Sequence, residues 1–254
     1  MTIPIFYSIS DDFTKYAAVS LNSLVKHTDP NKDYTVYFLN QDLSSKHQKA
    51  LSDLSSSNVH VKFFHIDNQL VQPIQNRKEN FLRADFFTMS IFYRLFIPEL
   101  FPEYDKVIYI DSDTIVNDDL AKLYNSELGD NLFAACTDSS IQYVDKMIKY
   151  IKNVLALDPK KYINSGMLVM NARAFRAEHF IDHFMTLLEK YHFDCIAPDQ
   201  DYLNEIGEGR ILHLNPRWDA MPNENTEPLL AKEDKTEQDP NNWAKVKKRE
   251  AVTL

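Results

Sequence analysis

Apolar and polar positions along the chain fall into short blocks whose periods alternate between two residues and roughly 3.6. The run IPIFYSI (3–9) reads as a strand; after the polar turn SDD, Ala17, Leu21, Leu24 and Val25 recur at helical spacing. DYTVYFL (33–39) reads as a second strand, LSSKHQKALSDL (43–54) as a surface helix and VHVKFFHI (59–66) as a third strand of mixed alternation. A βαβαβ opening of this kind predicts a mostly parallel sheet covered on both faces.

Beyond it, 88–100 carries a helical pattern expected to stop at Pro98, with Arg94 set inside an otherwise apolar run. KVIYI (106–110) then reads as a central strand and FAAC (133–136) as a short one. Val144, Met147, Ile148, Ile151 and Leu155 mark a helix; YINSGMLVMN (162–171) reads as a strand entered through a polar turn, and 180–191 as a helix. Neither internal repeats nor a Pro/Ser-rich linker interrupt the first 222 residues. From 223 to 254 the sequence turns polar and charged with weak periodicity, which predicts a tail rather than a second domain.

Length and composition narrow the picture. The chain's 254 residues, 44% of them hydrophobic, suffice for one large α/β domain with a sizeable core. A net charge of −9 argues against a general nucleic-acid surface, while the basic run KVKKRE near the C-terminus could still touch a membrane peripherally. No long apolar segment and no leader-like N-terminus is present, so a cytoplasmic location without a transmembrane span is expected. Cys136 and Cys195 form no CxxC and are expected to be core or neutral residues. Only four glycines occur, and neither a GxGxxG nor a P-loop can be built from them. Any bound phosphate must then be neutralised by a metal or by cationic side chains.

Candidate chemistry centres on VIYIDSDTIV (107–116), where an apolar strand runs into Asp111 and Asp113 with Ser112 between them. Unpaired buried carboxylates are costly, so the pair needs a cation, water or backbone donors. In an extended chain, side chains two apart share a face, so both carboxylates would reach one ligand at the sheet's carboxyl edge. Such an oxygen pair suits Mg²⁺ or Mn²⁺, with diphosphate oxygens filling an octahedral shell. Spacing alone fits an Asx turn or helix cap equally well.

Six dispersed segments, in order, weigh toward the metal reading: SDDF (10–13), YRL (93–95), YIDSD (109–113), INSGMLVMN (163–171), DQDYLN (199–204) and RWDAMP (217–222). With them the chain resembles the family 8 glycosyltransferases, the group that includes glycogenin and bacterial lipooligosaccharide galactosyltransferases. The resemblance implies a GT-A Rossmann-like α/β fold over 1–222, with a mostly parallel mixed sheet flanked by helices. It also implies Mn²⁺, with Mg²⁺ as the alternative, and transfer with retention from a UDP-hexose, glucose or galactose, to a glycan or glycoprotein acceptor. Asp111 and Asp113 would ligate the metal. Phe13 stands where the family usually places a tyrosine against uracil, and Ser10 and Asp12 would serve the base or ribose. Arg94 would meet the diphosphate or sugar region, with Ser112 in the same donor site. Asn164, Ser165 and Gly166 would allow polar contact and close backbone approach to the sugar. Asp199 would orient a sugar hydroxyl, and Gln200 would lie near the anomeric carbon opposite the leaving UDP. Asp138 would contact donor sugar or acceptor.

One departure stands out. The family's H-x-x-G-x-x-K-P segment, which supplies a third metal ligand and a lysine to the phosphate, has no counterpart, since no histidine follows His213. An incomplete metal shell, or a C-terminus truncated or altered relative to relatives, is the expectation. It motivates a second reading, a nucleotide-sugar-binding protein with little turnover. A metal-dependent nucleotidyltransferase is disfavoured by the missing glycine-rich loop.

Overall fold

The computed structural model describes residues 2–75, 89–190 and 198–220. The tail after 222, Cys195 and the region of the absent histidine motif lie outside the described residues.

Among the described residues, seven strands form one sheet in the order β3-β2-β1-β4-β6-β5-β7. β1 (Ile3–Ser8), β2 (Tyr34–Asn40), β3 (Val59–His65) and β4 (Val107–Ile110) run parallel to one another. β6 (Met167–Met170) is antiparallel to both β4 and β5 (Phe133–Ala135), and β7 (Ile211–His213) pairs parallel with β5. The expected mixed, mostly parallel sheet is therefore present, with β6 as its reversed strand.

Strand residues divide by parity between two cores. Phe6, Tyr37, Leu39, Val107, Tyr109, Phe133, Leu168 and Met170 enter one cluster. Their neighbours Ile5, Tyr7, Val36, Phe38, Ile108, Ala134 and Val169 enter the other. This is period-two alternation with both faces buried, which is why the central strands read as continuous apolar runs. α1 (Thr14–Lys26), α2 (Ser45–Ser52) and α5 (Leu120–Tyr124) cover the second face with Leu21, Leu51 and Leu123. α4 (Ser90–Leu100), α7 (Ala172–Ala177), α8 (Phe180–Lys190) and α9 (Pro198–Ile206) cover the first through Phe96, Phe175, Phe184 and Leu203.

Sequence pattern and structure differ in identifiable ways. α4 carries on through Pro98 to Leu100. The proposed strand 162–171 is a strand only at Met167–Met170. Ahead of it the Asn164 side chain accepts from the Gly166 amide at 2.7 Å and bends the chain, leaving a lone bridge between Thr137 and Ile163. α3 (Asn68–Gln75), α5, α7 and β7 were not predicted, being short or weakly patterned. Cys136 is buried, its thiol toward the Asn215 carbonyl. α6 (Asp145–Asn153) fills most of the expected 144–155 helix.

The consequential feature is the connection order. From β1 the chain moves outward through β2 to β3, then crosses back to place β4 on the other side of β1. The loops after β1 and β4 therefore diverge, which is the switch point where open α/β sheets hold ligands.

Candidate active site

Both diverging loops carry predicted site residues. After β1, Asp12 and Phe13 lie in a short 3-10 turn, Asp11–Phe13, that Ser10 precedes and that leads into α1. Asp12 is exposed and Phe13 half-buried, its ring 5.5 Å from that of Tyr16. Asp11, their neighbour, is turned away: its carboxylate accepts from the Ser44 amide and from His47, each at 2.8 Å. Those bonds, the backbone amide's first, hold its pKa below the usual carboxylate range. Ser10 lines a cleft of about 250 Å³ together with Gln41, Asp42, Ser90 and Tyr93.

After β4 the strand ends at Ile110, and 111–113 is a turn rather than extended chain. The Asp111 amide donates to the Gly166 carbonyl at 2.7 Å, and the Thr114 hydroxyl donates to the Asp111 carbonyl at 2.8 Å. The alternation argument thus does not govern Asp113: the turn leaves Asp113 exposed, Ser112 buried and Asp111 about a third exposed. Tyr109 and Asp111, at the strand's end, do share a face, and the Tyr109 hydroxyl donates to Asp111 Oδ1 at 2.7 Å.

That face belongs to α4, which places Arg94 there, 4% exposed. Its NH2 nitrogen lies 3.0 Å from Asp111 Oδ1 and its Nε 3.2 Å from Asp199 Oδ2. NH1 donates to the Ser165 carbonyl at 2.5 Å, Nε also serves the Ile91 carbonyl, and the guanidinium stacks 4.3 Å above the Tyr109 ring. An arginine in an apolar helix thus finds its anionic partners inside the protein. Burial alone would weaken its charge, and Asp111, Tyr109 and Asp199 more than offset it. Burial pushes the Asp199 carboxyl up, Arg94 opposes that, and Asp111 adds to it. Burial likewise raises the Tyr109 phenol well above its usual value.

From Asp199 the network passes into α9 and the 164–166 bend. The Ser165 hydroxyl donates to Asp199 Oδ2 at 3.1 Å, and the Ser165 amide donates to Gln200 Oε1 at 2.9 Å. Gln200 Nε2 donates to Asp138 Oδ2 at 3.0 Å, so the amide's two ends are fixed by a donor on one side and a carboxylate on the other. Asn164, Gly166 and the buried Asp138 complete the edge; a Cβ on Gly166 would sit 2.8 Å from Asn164 Oδ1 and 3.0 Å from Asp111 Oδ2. The glycine keeps open the space beside that oxygen.

Asp111, Arg94, Asp138, Asn164, Ser165, Gly166, Asp199 and Gln200 are thereby brought together, while Ser10, Asp12 and Phe13 stand on the neighbouring loop across β1. Pattern reading missed the residues that hold this set. Asn204, one helical turn beyond Gln200, accepts from the Ile163 amide at 2.7 Å and donates to the Ile163 and Gln200 carbonyls. Asp201 accepts from the hydroxyls of Tyr162 and Tyr150. Both lie in the DQDYLN segment, and i,i+4 spacing was the available signal for Asn204.

Among the described residues, no group of three or more His, Cys, Asp or Glu forms a metal cluster. Asp111 Oδ2 beside Gly166 and the exposed Asp113 carboxylate fit a hard divalent ion that takes its remaining ligands from phosphate oxygens and water. No helix among the described residues is long and apolar enough to cross a membrane.

Known proteins share this fold. The WbbM bifunctional glycosyltransferase superposes with a TM-score of 0.71 at 29% identity, over 85% of this chain and 39% of that one. Galactosyltransferase LgtC, solved with donor and acceptor sugar analogues, gives 0.70 at 21% identity, over 85% of this chain and 74% of that one. A further LgtC structure carries glutamate in place of an active-site glutamine. The fold is that of the GT-A glycosyltransferases. A Haemophilus influenzae relative is 26% identical over 222 residues, which are 87% of this chain and 64% of that protein, so the chain spans under two thirds of it. The sequence profile described as glycosyl transferase family 8 matches residues 4–246, and the chain belongs to that family.

Proposed function

We propose that the chain is a retaining hexosyltransferase that uses a UDP-sugar and Mn²⁺ to glycosylate a glycan or glycoprotein. The observation that carries this reading is the buried network in which Arg94 ties Asp111, at the end of β4, to Asp199 and Ser165 beside the switch point.

Asp111 and Asp113 would hold the metal-diphosphate, and the ion, when bound, supplies Lewis-acid neutralisation of leaving-group charge. Arg94 keeps Asp111 in place rather than reaching the phosphate, since its nitrogens are engaged within the protein. Phe13 and Ser10 would receive the uracil and ribose on the adjacent loop. Asp199 can take a sugar hydroxyl while its Oδ2 stays on Arg94 and Ser165. Gln200 presents a fixed amide near the reacting carbon, in keeping with the active-site glutamine of LgtC. An amide held at both ends is a poor nucleophile, which favours displacement on the leaving-group face, with a diphosphate oxygen accepting the acceptor's proton.

Incubating UDP-, GDP- and dTDP-hexoses with and without Mn²⁺, and reading melting temperature and nucleoside diphosphate release, tests the proposal. Mn²⁺-dependent stabilisation by UDP with UDP release from UDP-glucose or UDP-galactose is the expected result. Stabilisation without release would favour the binding-protein reading, and no metal-dependent response to any donor would sink both.

A further inference from the structure

Between Asp138 and Tyr162 the chain makes an excursion that belongs to neither face of the sheet. Its apolar side chains Ile141, Ile151, Leu155 and Leu157 pack on one another and on Tyr162, with Met147 and Tyr150 against them. The excursion starts and ends at the site: Asp138 is bonded to Gln200, and Tyr162 leads into the 164–166 bend. It is also clamped to α9, since the Tyr150 and Tyr162 hydroxyls both donate to the buried Asp201, at 2.8 and 2.5 Å. The lobe is thus a rim fixed to the helix that carries Asp199 and Gln200.

What this rim shows to solvent is lysine. Lys146, Lys149 and Lys152 are exposed at successive i,i+3 positions of α6, where neighbouring side chains lie about 5–6 Å apart. Lys160 and Lys161, also exposed, follow in the next turn. Within 145–161 the acids are Asp145 and Asp158, and Asp158 is occupied in capping the Lys160 amide at 3.0 Å. Burial, and then the Lys161 charge, hold His213 on the adjoining β7 below its usual imidazole value. In a chain of net charge −9 this is a local reversal of sign. Such a patch concentrates anions within a Debye length of about 8–10 Å. Tyr143, 49% exposed, stands between Asp138 and α6 and offers an open ring face to a sugar.

Resting on the glycosyltransferase reading, we infer that this lobe is the acceptor rim of the transfer site and selects an anionic acceptor, a glycan bearing phosphate or carboxylate groups near the hydroxyl that is glycosylated. A lipid surface is the poorer occupant. The apolar side of α6, Met147 and Ile151, is turned inward into the cluster with Ile141, Leu155 and Tyr162, and an interfacial helix needs that side free to enter the bilayer.

Saturation-transfer NMR on the 254-residue chain, using oligosaccharides in matched neutral and phosphorylated forms at low and high salt, tests the inference without requiring turnover. The wild type is expected to bind the phosphorylated member about tenfold more tightly at low salt, with the preference shrinking at high salt. The variant K146E/K149E/K152E should lose that preference while melting as the wild type does, and K146Q/K149Q/K152Q should lie between. Equal binding of neutral and phosphorylated partners overturns the inference, as does a preference untouched by the lysine substitutions. Co-sedimentation with phosphatidylglycerol vesicles, lost in the glutamate variant and without any glycan preference, would assign the face to a membrane and overturn it too. Failure of every donor in the metal-dependent assay is a separate outcome, counting against the proposed function rather than the charge preference.

Discussion

Arg94 Nε lies 3.2 Å from Asp199 Oδ2, and the two side chains are only 4% and 8% exposed. This buried pair joins α4 to α9, so its loss should unsettle the site and the fold together. Replacing Arg94 by Met leaves Asp199 charged and buried without its cation, which should cost about 3–5 kcal/mol at neutral pH. The pH dependence has a defined sign. Burial already raises the native pKa of Asp199, and removing Arg94 raises it further above the unfolded value. A carboxyl with a raised native pKa binds its proton more readily folded than unfolded, so it favours the native state as pH falls. The stability gap between wild type and Arg94→Met should therefore narrow from about pH 7 to about pH 5 in urea titrations. Parallel profiles would show that Asp199 stays uncharged or finds another cation.

The two aspartates of the 111–113 turn should separate by stability. Asp111 is a partner of the buried Arg94, whereas Asp113 is exposed. Asp111→Ala should cost the metal-free protein about 1–2 kcal/mol, while Asp113→Ala should stay within about 0.5 kcal/mol of wild type. Both should lose Mn²⁺-dependent binding of UDP, read by calorimetry. Retained Mn²⁺ dependence in both variants would reduce the pair to a turn.

The fold was legible largely because the sheet is buried on both faces, so its strands appear as apolar runs between helical periods. What escaped was set by side chains meeting across long sequence separations. Nothing near Arg94 reveals that its anions are Asp111 and Asp199, so a ligand's phosphate looked equally suitable. The turn at 111–113 was one of the two readings that the DSD spacing left open; it rests on the local bond from Thr114 to the Asp111 carbonyl and on the distant one from the Asp111 amide to Gly166, neither of which period-two reasoning weighs. Tyr109 was within reach, since a residue two before Asp111 on a strand must share its face. Asp201 was visible in its segment, but its partners Tyr150 and Tyr162 belong to a lobe that pattern alone does not assemble.

Gly166 offers a steric test of the space beside Asp111. An added methyl would meet Asn164 Oδ1 at 2.8 Å and Asp111 Oδ2 at 3.0 Å. Gly166→Ala should cost about 1–3 kcal/mol by forcing the bend apart. If Asp111 Oδ2 holds the metal as proposed, displacing it should also weaken Mn²⁺-dependent UDP binding. Full affinity with reduced stability would move the metal site away from Asp111 Oδ2.

Phe13 tests the loop after β1. Its half-buried ring keeps an accessible face beside Tyr16. If that face takes uracil, Phe13→Ala should weaken UDP by about 1–3 kcal/mol and Phe13→Tyr should be nearly neutral. Unchanged UDP affinity with a lower melting temperature would make the ring a packing element only.

Gln200 tests the reaction itself. Its Oε1 accepts from the Ser165 amide and its Nε2 donates to Asp138, so only a residue with an acceptor at one end and a donor at the other fits both neighbours. Gln200→Glu keeps the shape but sets a carboxylate oxygen against the Asp138 carboxylate. One of the two must then take a proton or move away. Under the proposed function donor binding would rest on Asp111, Asp113 and the loop after β1, so UDP affinity should change by less than about threefold. Turnover should fall by about a hundredfold or more if, as proposed, the fixed amide acts on the sugar where positive charge develops. Lowering the pH should recover part of that loss, since protonating the introduced carboxylate restores a donor toward Asp138; Gln200→Ala, with nothing to protonate, should show no recovery. Equal losses of UDP affinity and turnover in Gln200→Glu would mean that the residue merely supports the donor pocket, and full activity would remove it from the reaction centre.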